Sequence, residues 1–543
     1  MKKFLSLALV LLILMSSTSA LAAVTPPGTL PITDEPAELT IWAAPSVGQD
    51  DYDICKMTLW FEEMTGVHIN WIQVSNSEPH TLFNTSIASN DHPDIYMYGP
   101  SGADYLQYAA DGVLIPLEDL IDEYGYYLKA KLEENPDLKQ QVTAPDGHIY
   151  GMPFSRYAYA NTLHNKMWVY KEWLDRYMQE TGSESPDTPE ELRDMLAFFR
   201  DNDMNGNGDT TDEIVMTGNY NYGYEGGNPL YYLLNAFAFV PSFPSDSMFF
   251  YIDENGQFTT DADSDALRDG LRYVHSLYDE GLFPEEIFVQ DLNTMRSLTT
   301  TTKDNVIVAT AGAPYSQRLL NAQSGVENAV NYTDYVPLDP LKHADGTVAY
   351  PDVGISLYGM RNFVTSSCEN LELAIRWLDF IYSEEAQYYY TYFGVEGEDW
   401  EWVDSPSLGG DEKSIRVKLD PEQRLANAWN GNWCGVFFQT KEMMMADEAA
   451  TSAYVPNWNA TELYLAAAKS TNIPMIVWAD DEDLAVEYTE LHTLIMNYIM
   501  NAWSEFVLGI RDIDSDSHWN AYVDQLQEMG LEDLKSLGTE YYN

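Results

Sequence analysis

The chain has 543 residues, and 28 Lys plus Arg against 86 Asp plus Glu give it a formal charge of −58 at pH 7. That charge excludes a nucleic-acid binder working through bulk electrostatics, because affinity for phosphate rests on cationic side chains. With 45% apolar residues, including 14 Trp, 38 Tyr and 20 Phe, the chain is no disordered acidic polymer, and its length predicts two or three structural units.

The first residues read as an export signal: Lys2 and Lys3, an apolar run from Phe4 to Met15, then small residues up to Ala20-Leu21-Ala22, with cleavage expected after Ala22. The run is too short to span a bilayer. The first cysteine is Cys55, so no cysteine at the cleavage site is available to carry a lipid. An exported, periplasmic or cell-surface protein without that anchor is expected. After a Pro-rich leader, Leu39-Thr40-Ile41-Trp42 alternates as a strand, and Ile54, Met57, Trp60, Phe61 and Met64 recur at helical spacing up to a stop at Thr65-Gly66. Val67, Ile69 and Trp71 give a second strand. A short helix near Thr81 to Ser89 leads into a third strand, Asp94 to Tyr98. This strand-helix rhythm predicts an α/β unit with a mainly parallel sheet. Ligands bind beyond the carboxyl ends of such strands, so Trp42 and Tyr98 are candidate ligand contacts, with core packing as the alternative.

Further on, Thr188-Pro189-Glu190-Glu191 carries a helix start with a capping box, and Leu192, Met195, Leu196 and Phe199 mark its buried face. That helix runs into a loop where Asp203, Asn205 and Asn207 alternate, Gly208 follows and Asp209 comes next, the opening of an EF-hand loop. Oxygen donors at every second residue suit a hard cation, and calcium better than magnesium. The glutamate expected at the twelfth position is replaced by Ile214, while Asp212 and Glu213 arrive earlier. A self-satisfied Asn-Gly turn is the alternative. Leu371 to Tyr382 forms another helical stripe. With Cys55, Cys368 and Cys434 only, three unbridged and mostly buried thiols are expected, and no zinc, phosphate-loop, dinucleotide or nucleophile-elbow motif occurs.

Several segments together resemble the extracellular solute-binding proteins, family 1, of the LplA-like and alginate-binding group serving ABC importers. They include Trp60 to Gly66, Asp111 to Leu117, Asp146 to Pro153, Lys171 to Asp175, Leu277 to Leu282, Ala374 to Asp379, Tyr392 to Gly397 and Trp519 to Val523. The resemblance implies a two-lobed α/β periplasmic-binding-protein fold with the ligand in a cleft between lobes. By analogy one lobe covers about residues 25–155 plus 330–385 and the other 156–329 plus 386–543. It implies an ABC permease as partner, no catalysis and a monomer. In the calcium loop of the alginate-binding relatives an Asp-Glu pair closes the site. Here one extra residue separates Asp209 from Asp212 and Glu213, so whether one or both coordinate stays open. A structural role for the ion is expected.

Sugar rings need flat aromatic platforms beside hydrogen-bonding groups. Clusters of that kind in turn-rich segments supply Arg156, Tyr159, Tyr224, Tyr315, Trp429 and Trp433 as further ligand-contact candidates, with packing as their alternative. The acidic chain argues for a neutral oligosaccharide over a polyanion. A secreted glycosidase or lyase, or a peptide-binding receptor, is the competing reading.

Overall fold

The computed structural model describes residues 23–542 except 46–50, 76, 99, 101, 158–162, 221–226, 321–325, 353, 355, 430–437, 449–454 and 479–480. The expected signal segment 1–22 and Cys434 lie outside the described residues. Two compact units emerge: residues 1–154, 359–401 and 417–438 form the first, and 155–358, 402–416 and 439–543 the second.

In the first unit, β1 (Ala37–Ala43), α1 (Lys56–Thr65), β2 (Val67–Gln73), α2 (Pro79–Ser89) and β3 (Ile95–Met97) follow one another as the alternation of periods predicts. β1 lies between β2 and β3, parallel to both, with Ile41 opposite Trp71 and Ile95. The short strand Phe363–Val364 adds antiparallel to β3. α1 ends at Gly66 with φ of 73°, where its N–H caps Glu62 O at 2.9 Å. A Cβ there would come within 2.3 Å of Thr33 O, so both the left-handed turn and the close strand require glycine. α1 buries Met57, Thr58 and Phe61. Phe61 meets Trp377, Phe380 and Trp429 at ring distances of 5.6, 5.0 and 4.7 Å. Each such ring removed from water stabilises the fold by about 1.5–3 kcal/mol.

In the second unit, β4 (Met167–Tyr170) leads into α3 (Lys171–Thr181), α4 (Pro189–Asp201) and β5 (Ile214–Thr217). α5 (Asp265–Asp279), β6 (Val308–Gly312) and β7 (Tyr335–Pro337) follow. The sheet order is β7-β4-β6-β5, with β5 and β6 parallel and the other pairs antiparallel. The Thr188 side chain accepts from Glu191 N at 3.3 Å as expected of a cap. The Glu191 carboxylate, however, reaches Asp187 N at 3.2 Å, so the box closes one residue earlier than the pattern predicts. The C-terminal helices α6 (Glu482–Val507), α7 (Asp516–Glu528) and α8 (Leu531–Tyr542) complete a core running from Trp168 and Phe199 to Trp503 and Tyr522.

The grouping of the segments beyond residue 329 has identifiable reasons. Residues 330–358 group with the second unit because Tyr335–Pro337 is a strand beside β4. Residues 386–401 and 417–438 group with the first because Trp400 packs on Tyr392 and Trp429 on Phe61, at 5.5 and 4.7 Å. Cys55 and Cys368 are buried. No described helix is long and apolar enough to cross a membrane.

Candidate functional site

In each unit the carboxyl ends of parallel strands bring together aromatic, amide and charged side chains. In the first unit β3 ends at Tyr98, which is 9% exposed and packs its ring on Phe83 at 4.7 Å. Burial raises the Tyr98 hydroxyl pKa; the nearby Arg361 guanidinium opposes that shift and the Asp104 carboxylate reinforces it. The same two charges act on the buried Tyr105. Arg361 lies over the Phe154 ring at 5.1 Å, a cation–π contact that fixes a charge without burying it. Beside it Asn362 is fully buried in the left-handed region with φ of 51°. Its N–H donates to Tyr98 O at 3.0 Å and its carbonyl accepts from Met152 N at 2.9 Å, so one strained residue ties β3 to the segment leaving the unit. Both polar atoms of its side chain are buried without a hydrogen-bond partner among the described residues.

In the second unit β5 and β6 end side by side, with Thr217 opposite Ala311. Past β5, Asn219 is 1% exposed and its side-chain oxygen has no hydrogen-bond partner among the described residues. Gln290 donates to Thr217 Oγ1 at 2.7 Å and to Gly218 O. Gly227 and Gly312 pass so close that a Cβ on Gly227 would lie 2.6 Å from Gly312 O. Past β6, the Tyr315 hydroxyl accepts from Arg318 Nε at 2.7 Å, with the guanidinium 5.4 Å from the ring. Asn457 Oδ1 accepts from Ser316 N at 2.7 Å. Lys166 is buried behind this edge and donates to Leu163 O and Pro314 O. Desolvation pulls its ammonium down to about 7, with Asp352 opposing. Burial likewise holds His164 near 3, so that ring is neutral.

The aromatic contacts predicted from sequence separate into three groups. Tyr98 and Tyr315 stand at strand ends, half-buried or nearly buried, beside charged partners. Trp42 and Trp429 are core residues. Trp42 is 2% exposed, with Phe83, Tyr96 and Tyr98 at 5.9, 5.7 and 5.8 Å. Trp429 is 1% exposed between Phe61, Trp71 and Trp377, and its indole N–H donates to Thr58 Oγ1 at 2.8 Å. Neither ring has an open face for a sugar. Tyr159, Tyr224 and Trp433 lie outside the described residues, as does the side chain of Arg156 on the strand Met152–Tyr157. Sequence reasoning missed Asp104, Arg361, Gln290 and Asn457, because single polar residues far apart in the chain carry no spacing signal.

The loop from Asp203 to Glu213 is wound on its own side chains. Asp203 accepts from Gly206 N and Gly208 N at 2.7 and 2.8 Å, Asn205 from Asn207 N at 3.0 Å, and Asn207 from Asp209 N at 2.7 Å. Asp209 accepts from Thr211 N and its hydroxyl at 2.9 and 2.6 Å, and these bonds lower its pKa. The Asn207 amide donates to Asp212 at 2.7 Å. Glu213 Oε1 accepts from Met204 N at 2.8 Å, while its Oε2 is buried with no hydrogen-bond partner among the described residues. Burial raises the Glu213 pKa. Among the described residues no three His, Cys, Asp or Glu side chains converge as a metal group, since these carboxylates turn to backbone amides. The donor set nevertheless fits a hard cation: it is all oxygen, largely anionic, and Glu213 Oε2 is uncommitted.

The sequence pattern of the bacterial extracellular solute-binding proteins matches residues 56–395, and the chain belongs to that family. The curated fructooligosaccharide ABC transporter substrate-binding protein FusA of Streptococcus pneumoniae is 26% identical over 499 residues, 89% of this chain and 85% of that protein. Solved structures of FusA, one in complex with kestose and one of an EF-hand mutant with fructo-nystose, cover 93% of this chain and 98% of theirs. They are 23% and 24% identical, each with a TM-score of 0.67. An extracellular solute-binding protein of Bifidobacterium longum subsp. infantis superposes with a TM-score of 0.75 at 19% identity, covering 95% of this chain and 99% of its own. The fold is that of the solute-binding proteins, as the sequence resemblance implied.

Proposed function

We propose that this protein is the solute-binding component of an ABC importer and captures a neutral oligosaccharide without altering it. The observation that carries the reading is the similarity to FusA across 89% of the chain. The chemistry of the two strand edges supports it. Tyr98 and Tyr315 offer ring surface, while Asp104, Arg361, Asn219 and Arg318 offer both donors and acceptors, which is what hydroxyl-rich rings require. An ABC permease is the partner, and the protein acts outside the cytoplasmic membrane as a monomer after removal of residues 1–22. The test is an oligosaccharide panel that includes kestose and an acidic oligosaccharide, scored in the same wells for thermal shift and product formation. A shift with kestose or another neutral oligosaccharide and no product is expected. Product formation at about 1 per second or faster would show an enzyme, and a shift confined to the acidic sugar would overturn the neutral assignment.

The loop from Asp203 to Glu213 is proposed to hold a structural calcium ion. Asp203, Asn205, Asn207, Asp209, Asp212 and Glu213 would supply its oxygens. The partnerless Glu213 oxygen supports this, as does the EF-hand of FusA. A bound ion would fix the end of α4 to the start of β5. Calorimetric titration of chelator-stripped protein should show one site, lost in Asp203→Ala, with sugar binding largely retained. No uptake at millimolar calcium would refute it.

A further inference from the structure

Away from both strand edges, the second unit contains a cavity of about 260 Å³ walled by the turn Ser245–Ser247, α6 and α8. Its volume lies below the ~300–1,000 Å³ of sites for drug-sized ligands, so it suits a single small group. Asp246 enters from the turn, Tyr488, Thr489, His492 and Thr493 from α6, and Tyr541 from α8.

The walls form an aromatic stack with one charge beside it. Tyr541 lies on Tyr488 at 4.4 Å and 13°, and Tyr488 lies on His492 at 5.7 Å and 20°. The hydroxyls of Tyr488 and Tyr542 both donate to Asp246 O, at 2.7 and 3.3 Å, which pins the aspartate backbone at the ring edges. The Asp246 carboxylate forms no ion pair among the described residues. The residue keeps solvent exposure, yet the protein crowded around its carboxyl end desolvates it and raises its pKa. His492 cannot neutralise it: burial pulls that imidazole down to about 4, and its Nε2 faces Met248 O at 3.2 Å.

The lining therefore carries one negative charge, tyrosine rings and hydroxyl oxygens, and no Lys or Arg. An anion would meet only repulsion. A calcium ion would find one carboxylate where six to eight oxygens are needed. A carboxylate beside the half-buried Tyr541 ring matches instead an ammonium group, which gains from ion pairing and from that ring together. The charge of −58 raises the local concentration of any cation. We propose that this cavity is a binding site for a small organic cation bearing an ammonium group, separate from the strand-edge residues assigned to the sugar.

The test uses the full-length protein at fixed ionic strength, with choline chloride, methylammonium chloride and glucose as separate probes in saturation-transfer NMR. Choline or methylammonium should bind with a millimolar dissociation constant, weakened roughly fivefold or more by Asp246→Asn and by Tyr541→Leu. Asp246→Asn should keep the wild-type melting temperature, Tyr541→Leu should lower it through the lost stacking on Tyr488, and both should keep the oligosaccharide response, so failure here is distinguishable from failure of the transport reading. Three results would overturn the proposal: no signal from either ammonium probe, equal binding by Asp246→Asn and wild type, or an Asp246-dependent response to glucose alone.

Discussion

Replacing Trp429 by alanine removes a ring that is 1% exposed and touches three other aromatic side chains. Truncating a buried aromatic costs about 3–5 kcal/mol, because the lost transfer energy is joined by the cavity left behind. The change also orphans the Thr58 hydroxyl, itself 1% exposed, which adds a desolvation cost of about 1–3 kcal/mol. At about 2–4 °C per kcal/mol for a unit of 150–250 residues, the first unit should melt on the order of 10 °C lower. Trp429→Phe keeps one ring in place but loses the N–H and part of the indole's buried area, so it should recover about half of the deficit. Thr58→Val combined with Trp429→Phe should be less harmful than the sum of the two, since the orphaned hydroxyl is then gone. Differential scanning calorimetry with and without oligosaccharide separates the two roles. If Trp429→Ala melts within 2 °C of wild type while losing tenfold or more in affinity, the ring is a sugar platform and the core assignment fails.

Lys56 pairs with Asp399 at 2.7 Å, where the aspartate side chain is 5% exposed and the lysine 33%. Lys56→Met should therefore cost roughly 3 kcal/mol by stranding a buried charge, whereas Asp399→Asn, which leaves a lysine able to reach water, should cost roughly half that in urea melts. Equal costs would count against the argument. His164 and His492, held by burial near 3 and 4, are neutral when folded but titrate near 6.5 when unfolded, so the unfolded state binds more protons below that pH. Their contribution is complete above about pH 6.5 and is lost as the pH falls toward 4 and then 3, at up to about 1.4 kcal/mol per pH unit for each ring. His492→Gln should flatten the pH dependence of the melting temperature by about one proton, and an unchanged slope would refute the assignment. Asp379 accepts from the N–H groups of Tyr126, Tyr127 and Leu128 at 3.0, 3.2 and 2.8 Å, so Asp379→Ala should cost about 3 kcal/mol or more and Asp379→Asn clearly less.

What could be read from the sequence was what local physics decides. The stop of α1 at Gly66, the Thr188 cap, the buried face of α4 and the order β1, α1, β2, α2, β3 all follow from residues within one or two turns of each other. The oxygen-rich loop after α4 belongs to the same class, since its donors alternate over a few positions. The choice between core and ligand contact is of another kind. Trp42 closes a strand where a crevice belongs, yet the sheet end is covered by Phe83 and Tyr98, and the indole became part of that cover. Trp429 precedes a polar stretch with the composition of an exposed turn, but it meets Phe61 and Thr58, some 370 positions earlier in the chain. No local pattern encodes such a contact. The same separation hides polar neighbours: Asp104 and Arg361 act on the same two tyrosines, Tyr98 and Tyr105, although more than 250 residues part them. A ring that composition singles out thus becomes core when residues from elsewhere in the chain cover it, as they cover Trp42 and Trp429.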